Sequence, residues 1–169
     1  MEKDSAASVT NNPITSHCPC GSLVSYQQCC QPAINGSRPA ATAEALMRSR
    51  YSAYALGEVD YLIATTHPDF RQGLNRQSLL EDKQQIRWLQ LQIISAQAGA
   101  HDDDQGEVSF IATFSEQGHF AALQERSRFL RIDQRWYYCD GHTSIKTVKP
   151  ERNAPCLCGS GRKFKRCCG

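Results

Sequence analysis

The chain of 169 residues contains no apolar run approaching the roughly 20 residues that a membrane-spanning helix needs. Its opening, Met1-Glu2-Lys3-Asp4, leads into polar sequence without an apolar core. No secretory leader is read there, and a cytoplasmic setting is expected. Also missing are a Ser/His/Asp order, a glycine-rich phosphate loop and a His-x-x-x-His pair. These absences remove the usual sequence signs of a serine hydrolase, a nucleotide-binding enzyme and a zinc protease. The net charge is only +2, so no global excess of either sign dictates a partner.

What the chain does have is cysteine. Eight of nine cysteines fall into two quartets of one spacing, C-x-C-x8-C-C: Cys18, Cys20, Cys29 and Cys30 near the start, and Cys156, Cys158, Cys167 and Cys168 at the other end. Disulfides belong to oxidising compartments, and the sulfurs inside a C-x-C or C-C unit cannot easily reach an unstrained bond. Bridges between the arms of a quartet remain an alternative, as does an iron–sulfur cluster. Four thiolates in two close pairs suit tetrahedral Zn²⁺, with every position filled by protein, which is the arrangement of a structural site. The reading is therefore two structural zinc ions per chain. Gly21-Ser22 and Gly159-Ser160 follow the second cysteine of each quartet, where a turn can aim backbone N–H groups at sulfur. Tyr26 and Phe164 recur at one offset, placed to cover a flank of each loop. His17 neighbours Cys18, but four cysteines already satisfy zinc.

The run from Ala154 to Gly169, APCLCGSGRKFKRCCG, resembles the SEC-C motif, a small zinc module named for the C-terminus of the SecA translocation ATPase. That pattern ends in Cys-His or Cys-Cys, so Cys168 stands at the fourth ligand position. The N-terminal copy keeps its four cysteines with Gly21, Ser22 and Tyr26, but has Leu23 in place of the second glycine and no basic residue. The copies are alike as metal loops and unlike as surfaces. Residues 146–169 hold seven Lys or Arg (Lys146, Lys149, Arg152, Arg162, Lys163, Lys165 and Arg166) against one acid, Glu151, whereas the rest of the chain has 12 basic and 16 acidic residues. A zinc ion held by four thiolates carries net −2, and seven cations exceed that need. The surplus points to an acidic partner such as RNA, a ribosome surface or an acidic protein, with Arg162, Lys163, Lys165 and Arg166 as contact residues. A solvated basic tail is the plain alternative.

Between the loops, Ile34-Asn35-Gly36-Ser37-Arg38-Pro39 reads as a linker and Pro150 as the second joint. Thr42 caps a helix that Gly57 closes after Leu56, with Leu46, Met47, Arg50/Tyr51 and Tyr54 on one buried stripe. A shorter helix is expected over Val59 to Thr66. A third is expected to start at a capping box, Ser78-x-x-Glu81. The period then becomes two, at Leu89-Gln90-Leu91-Gln92-Ile93 and at Val108, Phe110, Ala112 and Phe114. A strand over His119 to Ile132 turns at Asp133-Gln134 and returns through Arg135 to Cys139. Asp102-Asp103-Asp104-Gln105-Gly106 reads as an acidic turn, without a metal.

Helices first and long antiparallel strands second make an α+β fold. The strands, curved round the helices, resemble the cone of the nuclear transport factor 2-like fold. Glu44-Ala45-Leu46-Met47-Arg48-Ser49-Arg50-Tyr51, His67-Pro68, Glu125-Arg126-Ser127-Arg128-Phe129 and Trp136-Tyr137-Tyr138 closely resemble the bacterial YchJ family across nearly the whole chain. The division expected is a flexible tail at 1–16, an N-terminal SEC-C-like zinc loop at 17–33, a nuclear transport factor 2-like domain at 40–149 and a C-terminal SEC-C loop at 153–169.

The cone fold hosts both enzymes and binders. Candidates for its hollow are Tyr51, Tyr54, His67, Asp69, Trp88, Arg128, Tyr138, Asp140 and His142. Several have plainer roles: Tyr51 and Tyr54 as core residues with satisfied hydroxyls, His67 against the last helix carbonyls, Arg128 and Asp140 as a cross-strand pair. Cys139 is read as a small buried residue. No catalytic residue and no cofactor besides zinc is assigned. The function read is a zinc-binding, non-catalytic interaction protein whose basic C-terminal loop contacts a protein, ribosome or nucleic acid. By resemblance to SEC-C modules its partners include the ribosome, nascent chains or secretion chaperones. The alternatives are a small-molecule binder or enzyme using the cone pocket with zinc purely structural, and thiolate quartets acting as redox switches.

Overall fold

The computed structural model describes residues 17–169; the tail read at 1–16 lies outside the described residues. Four helices, α1 (Gln31–Ile34), α2 (Ala43–Leu56), α3 (Val59–Ala64) and α4 (Arg76–Gln85), precede four strands, β1 (Ile86–Ala98), β2 (Gln105–Glu116), β3 (His119–Ile132) and β4 (Arg135–Val148). The strands form one antiparallel sheet in the order β1-β2-β3-β4. Among the described residues no helix is long and apolar enough to cross a membrane.

The hairpin turns explain the order. Asp133 and Gln134 both adopt positive φ, 48° and 65°, as do Gln117 and Gly118 at 48° and 82°. Two successive left-handed residues match the right-handed twist of the strands they join. β-Bulges at Trp88/Gln90, Ile93/Ser95 and opposite Arg128/Phe129 bend the strands, and the sheet curves around α2. Its inward face carries Val108, Phe110, Ala112 and Phe114, all buried at every second position of β2, as a period of two requires. β4 runs to Val148, well past the Cys139 expected as its end. Residues 140–147, with Ile145 their one large apolar side chain, hid this half, because they pair with β3 on a largely uncovered part of the sheet.

α2 is the central helix. The Thr42 hydroxyl accepts the Ala45 N–H at 3.0 Å, and Gly57 ends the helix at φ 83°, both as expected. Eight of its 14 residues are buried, including Ser49, Ser52 and Ala53 outside the expected stripe. The helix is covered on two sides, by the sheet and by the N-terminal cysteine loop. Each fully buried side chain such as Leu46 or Phe129 stabilises the fold by roughly 1.5–3 kcal/mol. The Trp136 indole N–H donates to the Ala41 carbonyl at 3.2 Å, fixing the entry to α2 against β4.

Two helix ends differ from expectation. α3 stops at Ala64, where Arg71 donates to the Ala64 and Thr66 carbonyls at 3.2 and 2.8 Å and so takes over the last turn. α4 is capped by Asn75, whose side-chain oxygen accepts from Gln77 and Ser78 N–H. Ser78 and Glu81 lie inside the helix, and Glu81 instead accepts from Gln77 at 2.9 Å. Asn75 sits one turn earlier and caps as well as Ser does, so the nearer capping-box match misled.

Gly99 and Gly106 make a contact that periodicity does not reveal. A Cβ on Gly106 would lie 2.5 Å from Gly99 Cα and 3.1 Å from Ala43 Cβ, so the β1–β2 turn presses directly on the start of α2. The Ala43 N–H donates there to the Gly99 carbonyl at 2.9 Å. Gly106→Ala is expected to cost roughly 1–3 kcal/mol, read as a lower urea midpoint at unchanged m-value. An unchanged midpoint would show that the turn can lift off α2 freely.

Candidate metal centres

Each quartet brings four Sγ atoms within 4.8 Å of one another. Tetrahedral zinc with sulfur at about 2.3 Å requires S···S edges of about 3.8 Å. The N-terminal set has Cys20–Cys29 at 3.6 Å and Cys29–Cys30 at 3.8 Å; the C-terminal set has Cys158–Cys167 at 3.4 Å and Cys167–Cys168 at 3.9 Å. No pair is at the 2.05 Å of a disulfide, and all nine cysteines are free thiols. The donor set fits a closed four-thiolate metal site at both ends.

One backbone course builds both loops. Cys18 N–H donates to Val24 O and Cys156 N–H to Arg162 O, each at 2.7 Å. Isolated β-bridges His17↔Ser25 and Pro155↔Lys163 close the arms, and a single 3-10 turn, Tyr26–Gln28 or Phe164–Arg166, delivers the second cysteine pair. Gly21 and Gly159 share φ near 78° (79° and 77°). Leu23 adopts φ 64° where the other loop has Gly161 at 71°, so the missing glycine changes the residue and keeps the conformation. Ser22 and Ser160 hydroxyls lie 3.1 Å from Cys29 and Cys167 sulfur.

Four thiols this close cannot titrate independently. Hydrogen bonds from Cys18 and then Cys30 pull Cys20 far below the ordinary thiol range, while those with Cys18 and Cys20, reinforced by burial, push Cys30 far above it. In the other loop Ser160 leads the groups that draw Cys158 down to about 6, and Cys156 leads those that push Cys168 up to about 12. One thiolate forms readily in each set, while Cys30 in the first and Cys168 in the second are driven to keep their protons. A dication replaces those protons and satisfies all four sulfurs together.

The loops differ in what surrounds them. Cys18, Cys20 and Cys30 are 3%, 0% and 3% exposed and share one core cluster with Leu46, Met47, Tyr51, Leu91 and Phe129. Cys18 sulfur lies 3.5 Å from the Ser52 hydroxyl, and Arg48 donates to the Cys20 carbonyl at 3.2 Å. Tyr26 packs into the same cluster. In the C-terminal loop only Cys156 is buried, and Cys167 is exposed. Phe164 meets Phe120 of β3 edge to face at 5.4 Å. Arg162, Lys163, Lys165 and Arg166 are all exposed.

The other candidates scatter. Arg128 Nε and Nη2 each donate to Asp140 at 2.6 Å on the exposed face of the sheet, the cross-strand pair expected. His142 and Asp69 are exposed. His67 does not turn back on α3: its Nδ1 accepts from Asp69 N–H at 3.2 Å and its N–H donates to Tyr138 O at 2.8 Å. His17 Nδ1 bonds the Leu23 carbonyl at 2.8 Å and joins no metal cluster among the described residues. Cys139 is buried in β4. Tyr51 is 3% exposed and stacks with Tyr54 around Trp88, yet neither phenol has a hydrogen-bond partner among the described residues. The satisfied hydroxyl belongs to Tyr61, 2.7 Å from Ser49. Tyr138 does line the inward face, donating to Glu125 at 3.0 Å. Glu125 and Arg50 are polar residues of this face that the candidates for the hollow did not include.

A nuclear transport factor 2-like domain with a SEC-C motif is the class that fold and loops define. Residues 42–141 match the model described as YchJ, middle NTF2-like domain, and residues 152–169 match the SEC-C motif. The chain belongs to the YchJ family, whose curated relatives carry the name UPF0225. A UPF0225 protein of Serratia proteamaculans is 48% identical over 154 residues, covering 90% of this chain and 97% of the relative. One from Vibrio parahaemolyticus is 43% identical, covering 92% and 100%. Among solved structures, a SEC-C motif containing protein from Rhodopseudomonas palustris is similar at TM-score 0.69 and 36% identity, covering 75% of this chain and 98% of that one. Another from Psychrobacter arcticus has TM-score 0.66 and 31% identity, covering 91% and 96%.

The burial contrast sets opposite outcomes for single ligand changes. Cys20→Ser removes a donor from the core and is expected to lower Tm by about 10 °C or more, since losing the site costs on the order of several kcal/mol. Cys167→Ser should release one metal ion and move the main transition by only about 1–3 °C. Calorimetry with metal analysis checks both. Equal destabilisation would place the two loops on the same footing.

Proposed function

We propose that this is a zinc-binding, non-catalytic interaction protein whose C-terminal SEC-C module is its contact surface. Both quartets hold zinc in this reading, one ion each, and residues 17–33 act as a second SEC-C-like loop that has become part of the core. The chain divides into that loop, the nuclear transport factor 2-like domain at 40–149 and the basic loop at 153–169. A cytoplasmic setting accords with eight thiols kept for metal.

The observation that carries the proposal is the state of the cations. Of the eleven Lys and Arg between residues 17 and 145, five (Arg48, Arg76, Arg126, Arg128 and Arg131) pair with a carboxylate. Among the described residues none of the seven cations from Lys146 to Arg166 does so. They are displayed on and beside a loop whose backbone is fixed by Phe164 N–H to Ala154 O at 2.8 Å and Lys165 N–H to Arg152 O at 3.0 Å. Unpaired cations on a rigid knob favour a polyanionic surface, and RNA or a ribosome offers the densest one.

The test is a salt titration of binding to single-stranded RNA and to ribosomes. Changing Lys163, Lys165 and Arg166 together to Ala is expected to weaken binding and to flatten the slope of log K against log salt by about 2 units, at roughly 0.7 per phosphate contact. Equal affinity and slope in the triple variant would remove the knob from the contact. Binding to acidic protein alone would move the partner to that class.

A further inference from the structure

Arg50 is 4% exposed and has no carboxylate within 4.0 Å among the described residues. A buried guanidinium without a counter-charge is costly. Its Nη1 is fully used by neutral acceptors at the end of α3: Leu62 O at 2.8 Å, Thr65 Oγ1 at 2.7 Å and Thr66 Oγ1 at 3.3 Å. Its plane lies over the Tyr138 ring, 4.7 Å from the centroid. Nε and Nη2 have no acceptor among the described residues, and neither is sealed from solvent, because no buried side-chain nitrogen or oxygen there lacks a partner. These two nitrogens form the edge that grips a carboxylate in parallel. Arg128 gives the same edge to Asp140 in this molecule. In Arg50 the edge is held in place and unpaired among the described residues, although little of the residue is exposed.

The sheet continues outward from that point as an uncovered shelf. Phe129 and Ser127 are buried, but the following inward positions of β3, Glu125 and Leu123, are only half-buried. Opposite them on β4 stand Thr143 and Ile145; Thr143 is exposed and Ile145 is 61% exposed. Glu125 is pinned by three hydroxyls, Ser127 at 2.7 Å, Tyr138 at 3.0 Å and Thr143 at 3.3 Å. It lies across Gly141, where any Cβ would fall on its carboxylate. From the inner end outward the shelf therefore presents a cation with a free fork, a polar pair and an apolar rim of Leu123 and Ile145.

We propose that this concave face binds a small organic anion, its carboxylate or phosphate held by Nε and Nη2 of Arg50 and its body laid toward Leu123 and Ile145. The oxyanion supplies the counter-charge that the protein withholds. The Tyr138–Glu125 pair forms the polar wall and selects against a second negative group beside it. The site is separate from both cysteine quartets and from the basic loop, so it stands or falls apart from the proposed contact surface.

The test uses the full metal-loaded chain, with the Arg50 Nε–Hε resonance followed by NMR during titration with sodium benzoate and, separately, inorganic phosphate at constant ionic strength. A saturable shift with either probe is expected. Benzoate alone marks a carboxylate ligand, phosphate alone a phosphoryl one. Arg50→Lys keeps the charge and loses the fork, so it should weaken binding about tenfold or more, read from the Trp88 indole. A resonance that stays still, or drifts linearly with both probes, overturns the proposal, as does equal binding by Arg50→Lys. Should that variant not fold, the wild-type resonance decides alone.

Discussion

The packing of the N-terminal cysteine loop against α2 is the contact on which the rest of the fold rests. Cys18, Cys20 and Cys30 lie in the same cluster as the residues that join α2 to the sheet, so the loop supplies the second wall around the central helix. Ser49 and Ser52 have too little volume to make that wall themselves. Ser52 instead approaches Cys18 sulfur and Ser49 the Tyr61 hydroxyl, which permits close packing without an orphaned polar group. Three of the loop's four cysteines are buried; thiols sharing protons are poor core residues, and four metal-bound thiolates would be good ones.

The C-terminal loop follows the same backbone course to a different end. Its cysteines touch the body mainly through Phe164 on Phe120, and its charges look outward. A small module that cannot build its own core uses a metal instead, and its surface is then free to carry function. Conformation is repeated between the two loops, even at Leu23, while the surroundings are not.

The parts of this arrangement legible in the sequence were those set by local chemistry. Cysteine spacing gave both quartets, Thr42 and Gly57 gave the limits of α2, and alternation gave the inward face of β2. The seven C-terminal cations were visible as a run. Other features depend on what lies across the fold. The Gly99–Gly106 approach is a contact between the turn after β1, the start of β2 and α2, so neither glycine stands out along the chain. Arg50 fell on the buried stripe, and only its acceptors on and just after α3 show which edge remains unpaired. Asn75 outcompeted Ser78 because both are good caps and position alone decides between them. The outer half of β4 carries few apolar residues, and its strand conformation comes from pairing with β3.

The central claim is that one metal ion belongs to the core and the other to a surface module. Native mass spectrometry during a chelator titration, with near-UV circular dichroism from Trp88 and Trp136 recorded in parallel, tests it most directly. The account predicts two zinc ions per chain at the start, a first loss that leaves the tryptophan signal unchanged, and a second loss that abolishes it. Release of both ions in one step, or collapse of the signal with the first, would contradict it.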